Sequence, residues 1–286
     1  MNRYLSLVKF SHTVFALPFA LIGFFLAVWR DGFPFSWSLF GLVLVCMITA
    51  RNAAMAFNRW SDRRIDAANP RTAVREIPAG ILKANRVLGF VFLNAGLFMA
   101  AAWFINPLCF ALSPVALAVV LGYSYTKRFT ALCHLVLGLG LAIVPTAGYL
   151  AVAGRFDWLP LLFSGAVLTW VSGFDIIYAL QDEQFDRENA LHSIPSRLGK
   201  VRALRVSEAL HVVSALFLVA AGLLADFGPW YWLGTLVFSG LLFYQHRLVQ
   251  PNDLSRVNLA FFTTNGVASV LFMGFVLLEL FPGTGA

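Results

Sequence analysis

Long runs of apolar residues separated by short polar loops dominate the pattern of this chain. Uncharged stretches of roughly 20 residues are typical of helices that cross the hydrocarbon core of a membrane. The uncharged stretches are Phe10–Trp29, Val87–Thr126, Phe129–Gly154, Trp158–Phe174, Ala209–Ala225, Phe227–His246 and Val257–Leu278. One further span is predicted from about Phe33 to Phe57, where Arg51 is the only charged residue.

The stretch Val87–Thr126 is too long for one span and is divided near its middle by Asn106-Pro107. This pair is a turn and helix-restart signal, so we split the stretch into two helices. The count of predicted spans is then nine. The pattern predicts an all-α integral membrane protein, a bundle of nine transmembrane helices that forms a single domain over residues 1–286.

Composition agrees with this class, because 59% of the 286 residues are hydrophobic and only 12% are charged. Such a mix excludes an ordinary soluble domain. The three cysteines, Cys46, Cys109 and Cys133, lie in or beside apolar spans and have neither pairing nor metal-ligand spacing. We interpret them as small residues of the helix interfaces.

The basic residues predict the orientation of the spans, since short loops rich in Lys and Arg stay on the cytoplasmic side. With nine spans, 18 of the 21 basic residues fall on one side, from Arg3 and Lys9 to Arg256. The opposite loops hold only Arg30 and Arg155. The N-terminus is therefore predicted to be cytoplasmic and the C-terminus external. The net charge of +7 is largely this signal and implies no nucleic-acid partner.

Half of the acidic residues lie in two short cytoplasmic segments, behind the second and the sixth span. Each segment contains two aspartates four residues apart, which share one face if the preceding helix continues past the membrane surface. The acidic residues of the two segments are Asp62, Asp66, Glu76, Asp182, Glu183, Asp186 and Glu188.

Like charges at this spacing destabilise a bare helix, so two such pairs indicate that a cation is bound between them. Paired carboxylates suit Mg²⁺, which typically bridges one or two of them to substrate phosphates. Asp175 and Arg51 lie inside predicted spans, where ionisable groups usually face a polar cavity. Solvated loop charges, and an Arg51 side chain that extends to the interface, are the alternatives.

Two long motifs resemble those of the UbiA superfamily of membrane prenyltransferases. Asn58-Arg-Trp-Ser-Asp62-Arg-Arg-Ile-Asp66, followed by Asn-Pro-Arg-Thr, resembles the first aspartate-rich motif, and Asp182-Glu-Gln-Phe-Asp186 resembles the second. Tyr123-Ser-Tyr-Thr-Lys127 is similar to the family's YxxxK element. One departure is Arg59, which stands where the family often has an aspartate. The resemblance extends over essentially the whole chain.

The resemblance implies a Mg²⁺-dependent transfer of a polyprenyl group from an allylic diphosphate, at a bacterial inner membrane. It implies metal binding by the two motifs, phosphate contacts from basic side chains, and a catalytic role for the acidic ones. The implied metal ligands are Asn58, Asp62, Asp66, Asp182 and Asp186. The implied substrate-binding residues are Arg51, Asn58, Arg71, Tyr123, Lys127 and Arg128. For Lys127 and Arg128, positive-inside anchoring is the alternative.

The residues of both motifs are most similar to those of the family's quinone-biosynthesis branch, which serves ubiquinone or menaquinone synthesis. There the acceptor is an aromatic acid, either 4-hydroxybenzoate or a dihydroxynaphthoate, and the sequence leaves both open. Arg51 is the candidate contact for the ring carboxylate, or else a partner of Asp175. Asp175 and Tyr178 are candidates to position the ring or to accept its proton.

Two other classes of function remain as alternatives at this point. A polytopic transporter or channel would line a cation path with acidic stripes, but would place ionisable residues near the midplane. Here the carboxylate pairs lie at one face of the membrane beside arginines, which favours a phosphate pocket. A non-catalytic lipid-binding scaffold would need no paired carboxylates.

Overall fold

A computed structural model describes residues 2–8 and 15–281, and within these ranges the chain is helical without a strand. Short π-helical turns at Leu26–Arg30 and Leu259–Thr264 and a 3₁₀ turn at Leu180–Asp182 adjoin four of the helices. The helices are α1 (Asn2–Leu7), α2 (Leu17–Phe25), α3 (Trp37–Ser61), α4 (Arg63–Ala68), α5 (Ala84–Ile105), α6 (Pro107–Thr126), α7 (Cys133–Ala153), α8 (Trp158–Ala179), α9 (Glu183–Glu188), α10 (Ile194–Ala225), α11 (Pro229–Leu248) and α12 (Asn265–Leu280).

Within residues 2–8 and 15–281, seven helices are long and apolar enough to cross a membrane, so the chain is a multi-pass membrane protein. They are α3, α5, α6, α7, α8, α10 and α12 with its π-helical turn. The two other predicted spans correspond to Leu17–Arg30, which is shorter, and to α11, which is not among the seven. Lys9 and the start of the predicted first span at Phe10 lie outside the described residues. The part of the chain that the structure describes therefore holds seven candidate crossings, and nine stays a prediction.

The predicted break at Asn106-Pro107 is confirmed, because α5 ends at Ile105 and α6 begins at Pro107. The Asn106 side chain accepts a hydrogen bond from the Cys109 backbone N–H at 2.8 Å and so caps α6. Proline is favourable at the first helical position, where the missing N–H would have no partner inside the helix. The local sequence thus encodes both the end of one helix and the start of the next.

Both acidic motifs interrupt their helices, so the condition that the preceding helix continues unbroken past the membrane surface is not met. The backbone leaves helical geometry at Asp62, between α3 and α4. In the second motif the 3₁₀ turn separates α8 from α9. The hydrogen bond from the Asp66 N–H to the Asp62 carbonyl (2.8 Å) still preserves the i, i+4 relation across the first break.

The helices pack around an aromatic core in which α8 lies between α7 and α10. Trp170 of α8 contacts Phe238 of α11, and Phe238 contacts Phe272 of α12, with ring centroids 5.5 and 5.4 Å apart. Large apolar side chains on the outer surface, such as Phe92 and Leu236, are about 70% exposed. An apolar surface of this kind is favourable against lipid, which explains the outward-facing residues.

Close packing of α2 on α7 depends on two glycines. A Cβ atom at Gly23 would lie 1.9 Å from the Pro145 carbonyl oxygen, and one at Gly148 would lie 2.4 Å from the Ala20 carbonyl oxygen. Small residues allow helix backbones to approach closely in membranes, where packing replaces the hydrophobic effect between helices. The two helices could not approach this closely with larger residues at the crossing.

Candidate active site

The carboxyl-terminal ends of α3, α6 and α8 meet at one end of the bundle. Asp62, at the end of α3, is 1% exposed, and its Oδ2 lies 2.8 Å from Nζ of Lys127, which follows α6. The Lys127 carbonyl accepts a hydrogen bond from the His192 N–H, between α9 and α10, at 2.7 Å. Segments more than 60 residues apart in the chain therefore share one site.

A cavity of about 1180 Å³ opens between these helices. Its lining runs from the charged helix ends to apolar residues such as Leu112, Leu161 and Phe156, the last in the α7–α8 loop. The predicted site residues that line it are Arg51, Asn58, Asp62, Asp66, Arg71, Tyr123, Lys127, Asp175, Tyr178, Asp182 and Asp186. The two acidic motifs thus face one common space.

Arg71 connects the loop of the first motif to the second motif. Its guanidinium forms a fork on the Asp182 carboxylate, with Nε 2.9 Å from Oδ1 and Nη2 on Oδ2, and Nη1 donates to the Tyr178 hydroxyl at 3.1 Å. Burial lowers the pKa of Arg71, but the hydrogen bond and charge of Asp182 outweigh it and place the pKa above its ordinary value. Arg71 therefore stays cationic.

Two residues of the same loop complete these contacts and were not singled out as site residues from the sequence. Asn69 donates from Nδ2 to Asp182 Oδ1 at 3.0 Å, and Arg75 donates from Nη1 to Asp66 Oδ1 at 2.7 Å. The sequence feature that could have identified Asn69 and Arg75 is their position soon after the first motif, in a loop rich in arginine. Arg59, the departure from the family pattern, is buried and also lines the cavity.

Arg128 is not brought into the cavity, although it follows Lys127 directly. Its Nη2 donates to the Ser61 carbonyl and hydroxyl oxygens at 2.9 Å, lies 3.4 Å from Asp62 Oδ1, and its guanidinium stacks on the Tyr125 ring. Adjacent side chains at a helix end point in different directions, so only Lys127 reaches the shared space. Arg128 thus contacts the Asp62 carboxylate without lining the cavity.

His134, at the start of α7, is a site residue that sequence reasoning missed. Its Nδ1 lies 2.7 Å from Oδ2 of Asp175, and its Nε2 accepts a hydrogen bond from the Ile194 backbone N–H at 3.2 Å. His134 also lines the cavity. A single histidine at the start of an apolar span carries no pattern, so only its position in the fold reveals the contact with Asp175.

Aromatic rings form part of the cavity wall next to Asp175. Phe174 lies 5.6 Å from Phe15 and 5.3 Å from Phe261, and the Phe261 ring is 4.3 Å from that of Tyr178, measured between centroids. We call Phe15, Phe174, Tyr178 and Phe261 the aromatic cluster. The faces of aromatic rings attract cations, so this wall suits a positively charged carbon as well as an aromatic ligand.

The lining carries nearly balanced charge, with six carboxylates and five basic groups. A diphosphate bound together with divalent ions fits such a surface better than either a free anion or a free cation, because each sign of charge finds partners. The carboxylates are Asp62, Asp66, Glu76, Asp175, Asp182 and Asp186, and the basic groups are Arg51, Arg59, Arg71, Arg75 and Lys127.

The donor atoms fit Mg²⁺ in number and kind. Within residues 2–8 and 15–281, no three His, Cys, Asp or Glu side chains are grouped closely enough to hold one ion. Mg²⁺ needs only one or two carboxylates when phosphate oxygens and waters complete its shell. Asp66 provides a buried Oδ2 that accepts no hydrogen bond from the described residues. Asn58 and Asp62, which are hydrogen-bonded at 3.3 Å, offer further hard oxygens.

The chain is similar in sequence to known proteins. A profile described as the UbiA prenyltransferase family matches residues 16–267. A 4-hydroxybenzoate octaprenyltransferase of Aeromonas salmonicida is 31% identical over 258 residues, covering 90% of this chain and 89% of that protein. Another protein of the same name, from Nitrosomonas europaea, is 30% identical and covers 98% of this chain and 96% of its own.

Solved structures share the fold. The apo structure of a UbiA homolog from Aeropyrum pernix K1 superposes with a TM-score of 0.85 at 30% identity, covering 94% of this chain and 98% of that one. A UbiA homolog from Archaeoglobus fulgidus, bound to GPP and Mg²⁺, gives a TM-score of 0.74 at 20% identity, covering 97% and 99%. At 20% identity, the similarity to the Archaeoglobus fulgidus protein shows a shared fold only.

Proposed function

Because the chain belongs to the UbiA prenyltransferase family, we propose that it transfers a polyprenyl group from an allylic diphosphate to an aromatic acid in this cavity. The observation that carries the proposal is the convergence of both acidic motifs, Lys127 and Arg71 on one space that continues into an apolar interior. A charged end suits the diphosphate and an apolar end suits the chain. The family match favours this reaction over a transporter or channel.

The reaction breaks the bond between the allylic carbon and the diphosphate oxygen, and the diphosphate leaves with the electron pair. A ring carbon of the acceptor then bonds to the allylic carbon, and the proton lost from that ring carbon goes to a base. Lys127 and Arg71 would contact the diphosphate, Lys127 as a point charge and Arg71 through its fork. Positive groups fixed where negative charge develops stabilise the transition state.

Mg²⁺ would be held by Asn58, Asp62, Asp66, Asp182 and Asp186, and would supply further positive charge against the leaving diphosphate. In this structure, basic side chains supply the positive charge next to these carboxylates: Lys127 lies against Asp62, Arg75 against Asp66, and Arg71 against Asp182. We propose that these basic groups turn to phosphate oxygens when the donor binds. The carboxylates then keep compensating positive charge throughout.

The acceptor ring is proposed to bind beside Asp175 and the aromatic cluster. The cluster would shield the allylic cation from water and stabilise it through its π faces, while Asp175 would accept the proton from the ring. Arg51 and Tyr123 line the same cavity, and Arg51 is the proposed contact for the ring carboxylate. Tyr178, held by Arg71, would border the ring.

The proposed acceptor is 4-hydroxybenzoate, since the relatives cited above carry it in their names. A dihydroxynaphthoate is the second possibility. The proposed setting is quinone biosynthesis at the bacterial cytoplasmic membrane, with the charged end of the cavity on the cytoplasmic side. The chain would act as a single prenyltransferase domain.

The test uses purified protein in liposomes with Mg²⁺, a polyprenyl diphosphate, and either 4-hydroxybenzoate or a dihydroxynaphthoate, with products measured by mass spectrometry. We expect a prenylated aromatic acid, and a loss of roughly 100-fold or more in kcat for Asp62→Asn. Asp226→Asn is the matched control, because Asp226 is exposed at the far end of α10 in a left-handed conformation that asparagine also accepts. No product from either acceptor, or full activity of Asp62→Asn, would overturn the proposal.

A further inference from the structure

We infer that His134 is a positioning residue that holds the Asp175 carboxylate in place as the proton acceptor of the reaction. The inference rests on the proposed function and adds a residue that neither acidic motif contains. His134 is 2% exposed and lies where α7, α8 and the start of α10 meet. Its contacts define both the tautomer of the ring and its orientation.

The backbone of Ile194 determines the tautomer of His134. A backbone N–H can only donate, so Nε2 of His134 must present its lone pair to the Ile194 N–H at 3.2 Å. The proton of the neutral ring is then on Nδ1, which donates to Asp175 Oδ2 at 2.7 Å.

The start of α10 is itself rigidly defined, which makes Ile194 a fixed reference point. Ser193 and Ser196 form a reciprocal capping box, with the Ser193 side chain accepting from the Ser196 N–H and the Ser196 side chain accepting from the Ser193 N–H. On the other side, the Ser172 hydroxyl of α8 donates to the His134 carbonyl at 3.1 Å. The imidazole itself is held by Asp175 of α8 and by Ile194 of α10.

Asp175 gains orientation from this partner. Asp62, Asp66 and Asp182 each face a Lys or Arg side chain, whereas the hydrogen-bond partner of Asp175 Oδ2 is the imidazole of His134. The Asp175 side chain remains 23% exposed and lines the cavity next to the aromatic cluster. A carboxylate fixed through one oxygen can present the other to a substrate proton.

The test separates the two hydrogen bonds of His134 with a pair of variants. In His134→Asn the side-chain amide occupies the place of Nδ1 and can still donate to Asp175. In His134→Gln the longer side chain reaches the place of Nε2, so its oxygen can accept from Ile194 while the donor to Asp175 is lost. His134→Ala removes both bonds.

We measure kcat, the KM for the diphosphate and the thermal unfolding midpoint of each variant. The inference predicts that His134→Gln and His134→Ala lose roughly tenfold or more in kcat, that His134→Asn retains most of it, and that the KM for the diphosphate is unchanged. In the background of Asp175→Asn, the His134→Gln substitution should have no further effect on kcat, because both residues act through one group.

Either of two patterns among the variants would overturn the inference, and so would undiminished turnover of His134→Gln. In the first pattern, activity depends on the hydrogen bond from Ile194, so that His134→Gln is active and His134→Asn is impaired. This result would indicate a structural role for His134. The second pattern is a kcat loss from His134→Gln that multiplies with that of Asp175→Asn. Wild-type protein and Asp62→Asn are assayed in parallel. An inactive wild-type protein would remove the proposed function as well, whereas an active one with undiminished His134→Gln turnover would remove only the role of His134.

Discussion

At the scale of single residues, the site consists of buried acidic groups that meet basic groups from other segments. A buried carboxylate is costly unless it is paired and hydrogen-bonded. Asp62 is paired with Lys127, Asp66 with Arg75, and Asp182 with Arg71. The same pairs place positive charge at the site of the proposed diphosphate, so stability of the fold and binding of the substrate depend on the same side chains.

Arg71→Lys tests whether the fork of the guanidinium matters beyond its charge. Lysine keeps the charge but cannot bind Asp182 and Tyr178 at once, so we expect the KM for the diphosphate to rise about tenfold or more. Arg64→Lys is the control, because Arg64 lies in the same segment but is exposed. Equal KM values for Arg71→Lys and wild type would show that charge alone is sufficient.

At the scale of helices, crossings and helix ends determine how rigidly the cavity is framed. The α2–α7 crossing depends on glycine, and the start of α11 depends on a carboxylate from the end of α12. Glu279 accepts hydrogen bonds from the Gly228 N–H at 2.7 Å and from the Tyr231 N–H at 3.3 Å. An anion at a helix N-terminus is favourable because it satisfies free N–H groups and opposes the helix dipole.

Gly23→Ala should destabilise the protein, because the added methyl group would lie against the Pro145 carbonyl, a backbone atom that cannot move independently. We expect a loss of about 1–3 kcal/mol and a lower thermal unfolding midpoint in detergent. Gly96→Ala in α5 is the matched control, since nothing lies within 4 Å of its Cβ position. Alanine there should leave stability unchanged or raise it, by up to about 1 kcal/mol. Similar midpoints for both variants would contradict the close crossing.

Glu279→Ala should lower stability by about 1–2 kcal/mol, because it removes the cap of α11. Glu208→Ala, at an exposed position of α10, should have little effect. The thermal unfolding midpoint measures both. Glu279 is absent from the cavity lining, so turnover per folded molecule should be unaffected. A large loss of turnover without a change in the midpoint would contradict a capping role.

At the scale of the whole molecule, the two ends of the bundle differ in chemistry. The ends of α3, α6 and α8 carry the charged site. At the other end, the Asn106 amide donates to the Leu150 carbonyl at 2.9 Å, and Tyr149 donates to Asp31 at 2.5 Å. This polarity follows the distribution of basic residues along the chain, which predicts that the charged end is cytoplasmic.

Labelling of single cysteines tests this orientation. In a variant without Cys46, Cys109 and Cys133, we introduce either Arg155→Cys or Asn252→Cys, both at exposed loop positions on opposite predicted sides. A membrane-impermeant maleimide added to intact cells, with the outer membrane permeabilised if there is one, should label only Arg155→Cys. Both variants should react after the inner membrane is lysed. Labelling of Asn252→Cys alone before lysis would reverse the orientation.

The sequence by itself determined the membrane class, the break at Asn106-Pro107 and the family of the chain. Hydropathy and helix-end signals are local, so they can be read without knowing the fold. It also identified the residues of both acidic motifs, which the structure brings to one cavity. It did not determine where those helices would be interrupted, and two of the nine predicted spans are not among the seven helices that are long and apolar enough.

Only the tertiary structure decided which partners meet in the site. The directions of side chains at packed helix ends turn Lys127 into the cavity and Arg128 away from it, although the two are adjacent in the chain. The same packing brings His134 of α7 to Asp175 of α8 and to the start of α10. Such contacts depend on the relative placement of distant helices, a long-range property that no local pattern of residues encodes.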